Sequence, residues 1–137
     1  MPVPQRLNFV TIGAWSVSAL RDFYRHWGWR ENEGGSDDYV SFRVGSVVLA
    51  IFPIDRLADE AATNALTRER DGWNGVTFSI NFTSRADVDR AIADAVAVGG
   101  SAVGDPVERE WGGYSGYVAD VEGNRWEFAW APGFDPE

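Results

Sequence analysis

The sequence predicts an α+β protein in which two β-α-β-β-β modules form a cupped mixed sheet of about eight strands, with the helices outside. Strand-like and helix-like patterns follow one another in the same order in both halves of the chain. Each half also closes with two strand-like runs around a glycine-containing turn, Gly45 in the first and Gly123 in the second. We therefore expect one domain over residues 1–137, with modules at about 6–53 and about 75–131 and a connector at about 54–74.

The composition is that of a folded globular protein. The chain has 137 residues, 45% of them hydrophobic, with seven tryptophans and eight phenylalanines, which is enough for a substantial core. It has no cysteine, which excludes disulfides, a thiol nucleophile and a thiolate metal site.

The first half begins with the strand-like run LNFVTIGAW, residues 7–15. Ser16 or Ser18 can then cap a helix that Gly28 ends. A short strand is expected near residues 29–31, followed by strands at 39–44 and 47–52 around a tight Gly45–Ser46 turn. The apolar face of the helix has helical spacing and consists of Leu20, Phe23, Tyr24 and Trp27.

The second half repeats this order. A helical connector and a polar loop cover residues 54–72, and a strand follows at 76–82. The next helix starts at Ser84, with Asp87 three residues later, and ends at Gly99–Gly100. Residues 101–110 are predicted to form a turn that leads into strands at 114–120 and 125–130.

Charge and hydropathy limit the partners. A net charge of −9 argues against nucleic acid, because that binding depends on Lys and Arg neutralising phosphates. The charge suits a cationic ligand, and it equally suits simple solubility. The start of the chain does not resemble a signal peptide, and no apolar run approaches the roughly 18 residues of a membrane span. We therefore expect a cytoplasmic protein without a membrane partner.

Two motifs carry a family resemblance, SALRDFYRHWGW at 18–29 and DVEGNRWEF at 120–128. They resemble motifs of the glyoxalase/bleomycin-resistance/extradiol dioxygenase superfamily, the vicinal oxygen chelate fold. The resemblance implies a homodimer and, in the enzymes of the family such as lactoylglutathione lyase and the dioxygenases, a divalent metal on the concave face. Its ligands are usually His, Gln or Glu, one each from the first and last strands of both halves.

Counting from the shared motifs places these four ligand positions on Phe9, Leu49, Thr77 and Glu127. Glu127 alone is a usual ligand type, and the single histidine, His26, lies on the first helix. We therefore expect no metal and no cofactor, and an apolar floor in which Phe9 and Leu49 replace two ligands.

Glu127 lies between Trp126 and Trp130 in sequence. Strand alternation directs Glu127 to the cavity and both tryptophans to the helix side. Alternatively, Glu127 pairs with Arg125 or Arg43 and has no further role. The stretch EWGGYSGY, residues 110–117, has the glycines and aromatics of a binding loop, with Trp111 and Tyr114 as candidate ligand contacts. A hairpin turn with interface aromatics explains that stretch equally well.

Two functional classes follow for such a cup. In the first, the protein binds a small, cationic or aromatic molecule through Phe9, Leu49, Thr77, Trp111, Tyr114 and Glu127. In the second, it is a metal-independent lyase or isomerase with Glu127 as the catalytic general base. A purely structural or interaction role is the third possibility, since the aromatics can form a dimer face.

Overall fold

The structure is a computed structural model, and it describes residues 3–62 and 72–137. It divides into two compact units, Met1–Thr67 and Arg68–Glu137. The described ranges contain three helices, one three-stranded sheet and one four-stranded sheet, and both sheets are mixed. The predicted α+β class is confirmed. No helix in these ranges is long and apolar enough to cross a membrane.

The first unit contains three strands and two helices. They are β1 (Phe9–Ala14), α1 (Val17–His26), β2 (Val40–Val44), β3 (Val47–Pro53) and α2 (Ile54–Ala61). β3 lies in the middle of the sheet, parallel to β1 and antiparallel to β2. The predicted helical connector is α2. The polar loop predicted after it falls largely on residues 63–71, outside the described ranges.

Helix α1 begins and ends where the sequence predicts. The Ala19 amide donates to the Ser16 hydroxyl at 3.2 Å, which satisfies one of the free N–H groups of the first turn. Gly28 follows the helix with φ +99°, a conformation that glycine adopts without strain. The predicted apolar face is buried at Leu20, Phe23 and Tyr24 and packs on the sheet through Phe42.

The short strand predicted near residues 29–31 is reduced to a single bridge between Glu31 and Phe42. Beyond it the Asn32 amide donates to the carbonyl of Ser41, and its side chain donates to the Ser41 hydroxyl at 3.0 Å. The bridge occupies the position of the expected fourth strand. The described residues therefore form seven strands, with this bridge in place of the eighth, where about eight strands were expected.

The second unit contains β4 (Thr77–Phe82), α3 (Arg85–Ala97), β5 (Ser101–Glu108), β6 (Tyr114–Ala119) and β7 (Arg125–Trp130). The strand order is β4-β7-β6-β5, with β4 and β7 parallel and the other pairs antiparallel. The Asp87 amide donates to the Ser84 hydroxyl at 3.1 Å, so the predicted cap of α3 is present.

Strand β5 corrects the sequence prediction, which assigned residues 101–110 to a turn. It is an edge strand in which every residue except Pro106 is exposed, so the alternation between apolar and polar residues that reveals a half-buried strand is missing. A register shift between Val103 and Val107 further interrupts its pairing with β6.

Candidate functional site

The two faces of the second sheet have different chemistry. Helix α3 covers one face: a Cβ added to Gly116 would lie 2.6 Å from the side chain of Ile92. Trp126 and Phe128 are buried on this face. Glu127 points to the opposite face, as the alternation along β7 predicts. Four strands contribute to that face, which we call the open face: Thr77, Ser79, Asn81, Arg125, Glu127, Ala129, Ser115, Tyr117, Ala119, Ser101, Val103 and Val107.

Glu127 is half-buried at the centre of the open face. It pairs in register with Ser79 on one side and with Tyr117 on the other. The Ser79 hydroxyl donates to Oε1 at 3.1 Å, and the Tyr117 hydroxyl donates to Oε2 at 3.2 Å. Both oxygens of the carboxylate are therefore held by neutral donors, an arrangement that fixes the side chain and leaves its charge unneutralised.

Arg125 does not neutralise this charge, although the sequence offered it as a partner. Its Nη1 donates to the Gly123 carbonyl at 2.7 Å, which directs the guanidinium toward the turn before β7. Within residues 72–137, no salt bridge joins Glu127 to a basic side chain. The alternative in which Glu127 forms an ion pair with Arg125 is therefore not the arrangement in the structure.

Tyr117 links the carboxylate to a cation. Burial raises the pKa of the Tyr117 phenol, and the charge of Glu127 and the hydrogen bond to it raise the pKa further, while Arg109 acts in the opposite direction. The Arg109 guanidinium lies 5.7 Å from the centroid of the Tyr117 ring. Its Nε donates to the Ser115 hydroxyl at 2.9 Å and its Nη2 to the Ser115 carbonyl at 3.1 Å. Arg109 therefore lies on the open face.

The sequence analysis missed Ser79, Tyr117 and Arg109 as site residues. Ser79 is the partner of Glu127 in register, whereas the predicted Thr77 pairs with Arg125 one row away on the same face. The signal was present in the period of two along the strands, because Ser79 and Tyr117 alternate with apolar residues of their strands. This alternation alone could not predict that Ser79 and Tyr117 contact Glu127, because the strand register determines which residues of neighbouring strands are opposite each other.

The two predicted aromatic contacts lie in different environments. Trp111 is 56% exposed, and its ring covers Gly113, where an added Cβ would lie 1.8 Å from the indole. The Arg109 amide donates to the Gly113 carbonyl, so the alternation along the hairpin directs Gly113 to the open face. Tyr114 instead lies on the face covered by α3.

The contacts of Tyr114 are with this helix. Its hydroxyl donates to Asp89 of α3 at 2.6 Å. That hydrogen bond raises the pKa of the Tyr114 phenol, with smaller contributions from burial and from the Asp89 charge. The prediction that Tyr114 shares a surface with Glu127 is therefore wrong.

The first unit separates its two predicted site residues as well. Phe9 is 57% exposed and pairs with Val48, whereas Leu49 is 4% exposed and pairs with Val10 and Phe42 on the face covered by α1. Phe9 and Leu49 therefore lie on opposite faces of their sheet, and the expected apolar floor made by both is wrong.

The cause of this error is the face on which each final strand begins. Gly45 and Gly123 each lie two residues before the next strand, so Leu49 and Glu127 are both the third residue of their strand. β3 begins with Val47 on the face covered by α1, whereas β7 begins with Arg125 on the open face, so the same count reaches opposite faces of the two sheets.

The residues at the four expected ligand positions do not fit a metal of the family type. Phe9 and Leu49 have no donor atom and Thr77 has a neutral hydroxyl, so Glu127 alone supplies the carboxylate or imidazole that such ions need. Within the described part of the chain, no three His, Cys, Asp or Glu side chains converge. His26 is exposed at the end of α1.

Comparison with known proteins identifies related folds. A high-resolution crystal structure of a glyoxalase-related enzyme from Fulvimarina pelagi is 25% identical, with a TM-score of 0.82 over 94% of this chain and 90% of that one. A lactoylglutathione lyase from Agrobacterium tumefaciens is 21% identical, with a TM-score of 0.72 over 97% and 100%.

A glyoxalase/bleomycin resistance protein/dioxygenase family enzyme from Burkholderia phytofirmans PsJN is 18% identical, with a TM-score of 0.77 over 90% of this chain and 97% of that one. No curated protein matches the chain. The family model described as the Glyoxalase/Bleomycin resistance protein/Dioxygenase superfamily matches residues 6–128. The chain belongs to the Glyoxalase/Bleomycin resistance protein/Dioxygenase superfamily.

Proposed function

We propose that this protein binds a small molecule on the open face of its second sheet, with Glu127 as a charged anchor and without a metal. One observation carries the proposal: the Glu127 carboxylate is held at both oxygens by the Ser79 and Tyr117 hydroxyls, at 3.1 and 3.2 Å. A carboxylate fixed in place loses less conformational entropy when it binds a ligand than a freely rotating one does. The ligand group that it suits is a cation or another hydrogen-bond donor.

An open pocket lies next to Glu127 on the same sheet, although Glu127 itself does not line it. It has a volume of about 380 Å³ and is lined by Ser101, Val103, Ala119 and Arg125 of the open face and by residues 120–123 of the turn before β7. Tyr117 and the half-exposed Trp111 offer aromatic surface on the same face. Both are suited to a planar or aliphatic part of the ligand.

Binding is a better proposal than the alternative of a metal-independent lyase or isomerase. A general base must direct a lone pair at the proton that it removes. Each oxygen of Glu127 accepts one hydroxyl and retains a further lone pair that can accept from a ligand. Recognition needs only that lone pair, whereas catalysis would also need an acidic C–H or O–H of a substrate placed at it, so binding is the simpler proposal.

The experiment begins with a thermal-shift screen in which cationic antibiotics and aldehyde–thiol adducts are tested side by side. A hit is then titrated by calorimetry against the wild type, Glu127→Gln and Glu108→Gln. Glu108 is a matched control, because it is a glutamate of the same unit that pairs with Arg85, away from the open face. We expect Glu127→Gln to cost about 1–3 kcal/mol of binding free energy, the scale of a hydrogen bond to a charged group, and Glu108→Gln to have no effect.

Unchanged affinity in Glu127→Gln, together with a large drop in melting temperature, is the outcome that contradicts the proposal. It would make Glu127 a structural partner of Ser79 and Tyr117 and remove the charged anchor.

We also propose that the protein forms a homodimer. Support comes from the edge strand β5, which is exposed along nearly its whole length, because an unpaired edge favours association with another chain. Trp111 and Phe134, at 56% and 58% exposure, add apolar surface in the same unit. Light scattering at high concentration tests this proposal, and a strictly monomeric mass contradicts it.

A further inference from the structure

Among residues 72–137, Arg109 is a half-buried cation without an acidic partner. Two of its guanidinium nitrogens donate to the Ser115 hydroxyl and carbonyl, which are neutral acceptors. In the described ranges it takes part in no salt bridge, although the chain has 21 acidic side chains against 12 basic ones. An arginine held by neutral acceptors and lying over an aromatic ring is oriented while its charge stays available to a ligand.

The open face therefore differs in charge from the chain as a whole. Its central carboxylate, Glu127, has Arg125 two residues away on its own strand and Arg109 on the far side of Tyr117. Two guanidinium groups share this face with the Glu127 carboxylate, whereas the whole chain has a net charge of −9; Asp120 and Glu122 of the turn before β7 line the neighbouring pocket with Arg125. The arginines weaken the attraction of a purely cationic ligand to Glu127, so the global charge does not by itself describe the ligand that this face suits.

We propose that Arg109 binds an acidic group of the ligand, and that the ligand is therefore dipolar, with a carboxylate or phosphate toward Arg109 and a cationic or hydrogen-bond-donating group toward Glu127. This inference rests on the proposed function, because it concerns a ligand on the same face. Nη1 of Arg109 carries two N–H groups beyond those that Ser115 accepts. Charge-assisted hydrogen bonds from such a group to an oxyanion are about twice as strong as neutral ones.

The competing explanation is that Arg109 only fastens the hairpin between β5 and β6. It predicts that replacing Arg109 lowers thermal stability and leaves the affinity for acids unchanged. A test must therefore measure binding and stability separately and use probes that carry each charge alone.

The probes are ω-aminocarboxylates of increasing length, from glycine to 6-aminohexanoate, with alkylamines and alkylcarboxylates of equal length as single-charge controls. Each is titrated into the ¹⁵N-labelled full chain, and the amide signals of β6 and β7 and the Arg109 Nε–H signal are followed. The variants are Arg109→Gln, Arg109→Lys, Glu127→Gln and, as a matched control, Arg90→Gln. Arg90 is an exposed arginine of α3 that pairs with Asp87.

We expect aminocarboxylates of one length range to bind most tightly and to shift the Arg109 Nε–H signal. Arg109→Gln should weaken them by about fivefold or more, because it removes a charge-assisted hydrogen bond. Arg109→Lys, which retains the charge but loses the planar fork, should be intermediate. Arg90→Gln should match the wild type, and alkylamines should bind Arg109→Gln at least as well as they bind the wild type.

Two results overturn the inference, and they are distinguishable. If amines bind in a Glu127-dependent way and Arg109→Gln and Arg109→Lys leave aminocarboxylate affinity unchanged, the acidic subsite is wrong while the proposed function stands. If no probe shifts the signals of the open face in any variant, both the inference and the proposed function fail.

Discussion

β1 pairs with β3 and β4 pairs with β7 in the same parallel arrangement. The two pairs differ in the side chains on the face away from the helix. Away from α1, the first pair offers Phe9 opposite Val48 and Thr11 opposite Ala50. Away from α3, the second pair offers Thr77 opposite Arg125 and Ser79 opposite Glu127. On this face the first half of the chain thus has mainly apolar side chains, with Val48 and Ala50 buried, where the second half has polar ones. A repeated fold does not imply a repeated site, because the site is determined by a few side chains.

The turns before the two final strands are built differently. A two-residue turn precedes β3, whereas the five-residue turn before β7 is organised by the buried carboxylate of Asp120. Asp120 accepts from the Glu122 amide and from the amide and side chain of Asn124, at 2.8–3.0 Å. The two final strands also begin on different faces of their sheets, so residues at equal distance from the turn glycine lie on opposite faces, and this is not visible in the sequence alone.

The largest effect is expected at Leu49. Leu49→Ala should lower the free energy of unfolding by about 3 kcal/mol, because the side chain is 4% exposed among core residues and its loss leaves a cavity. Phe9→Ala, at a position 57% exposed, should cost less than about 1 kcal/mol. Urea unfolding followed by circular dichroism measures both. Equal losses in the two variants would contradict the register of β1 and β3.

The same pair of residues shows how far the sequence could lead. Helix α1, a cap at Ser16 or Ser18, the Gly45–Ser46 turn and the period-two strands were predicted, because each depends on local patterns, and the structure has the cap at Ser16. The orientation of Glu127 away from Trp126 was predicted for the same reason. Leu49, Tyr114 and Ser79 were misplaced or missed, because their environments depend on strand register and on which face the helix covers, which are set by contacts distant in sequence.

The second effect concerns the five-residue turn. Asp120→Ala should lower the free energy of unfolding by about 2 kcal/mol, because it removes hydrogen bonds to a charged acceptor and leaves buried amides without it. Asp120→Asn is the matched control: it keeps the shape and one acceptor oxygen, so it should cost less. A larger loss in Asp120→Asn than in Asp120→Ala would show that the hydrogen bonds to Asp120 do not organise this turn.

A smaller effect on stability is expected at alkaline pH. It concerns Tyr117 and Tyr114, which lie on opposite faces of β6. The pKa of Tyr117 is raised chiefly by burial, and that of Tyr114 chiefly by its hydrogen bond to Asp89. A raised pKa in the native state means that the native protein keeps a proton that the unfolded chain has lost. The corresponding stability is fully present below the unfolded pKa of about 10 and is lost as pH rises through the native pKa.

The measurement is urea unfolding at several pH values above about 9, with the phenolate absorbance followed in parallel. The free energy of unfolding should fall with rising pH in the wild type and fall less steeply in Tyr117→Phe and in Tyr114→Phe. The double variant should have the shallowest slope, because the two phenols lie on opposite faces of β6 and titrate with separate partners. Identical slopes in all four proteins would show that neither phenol is linked to folding.

The smallest effect is expected from removing metal. A family-type ion needs ligand atoms from both halves of the chain. In the second half, the candidate ligand is Glu127, with the hydroxyls of Ser79 and Tyr117 beside it. In the first half, Phe9 and Leu49 have no ligand atom. Elemental analysis should find no stoichiometric zinc, nickel, manganese or iron, and dialysis against EDTA should leave the melting temperature unchanged. Glu127→Gln is the internal control, because an ion bound through the carboxylate would be present in the wild type and lost in the variant. About one ion per chain in the wild type, lost in Glu127→Gln, would contradict this prediction. It would show that Glu127 binds a metal, as in the enzymes of the family, and the proposal of metal-free recognition would fail.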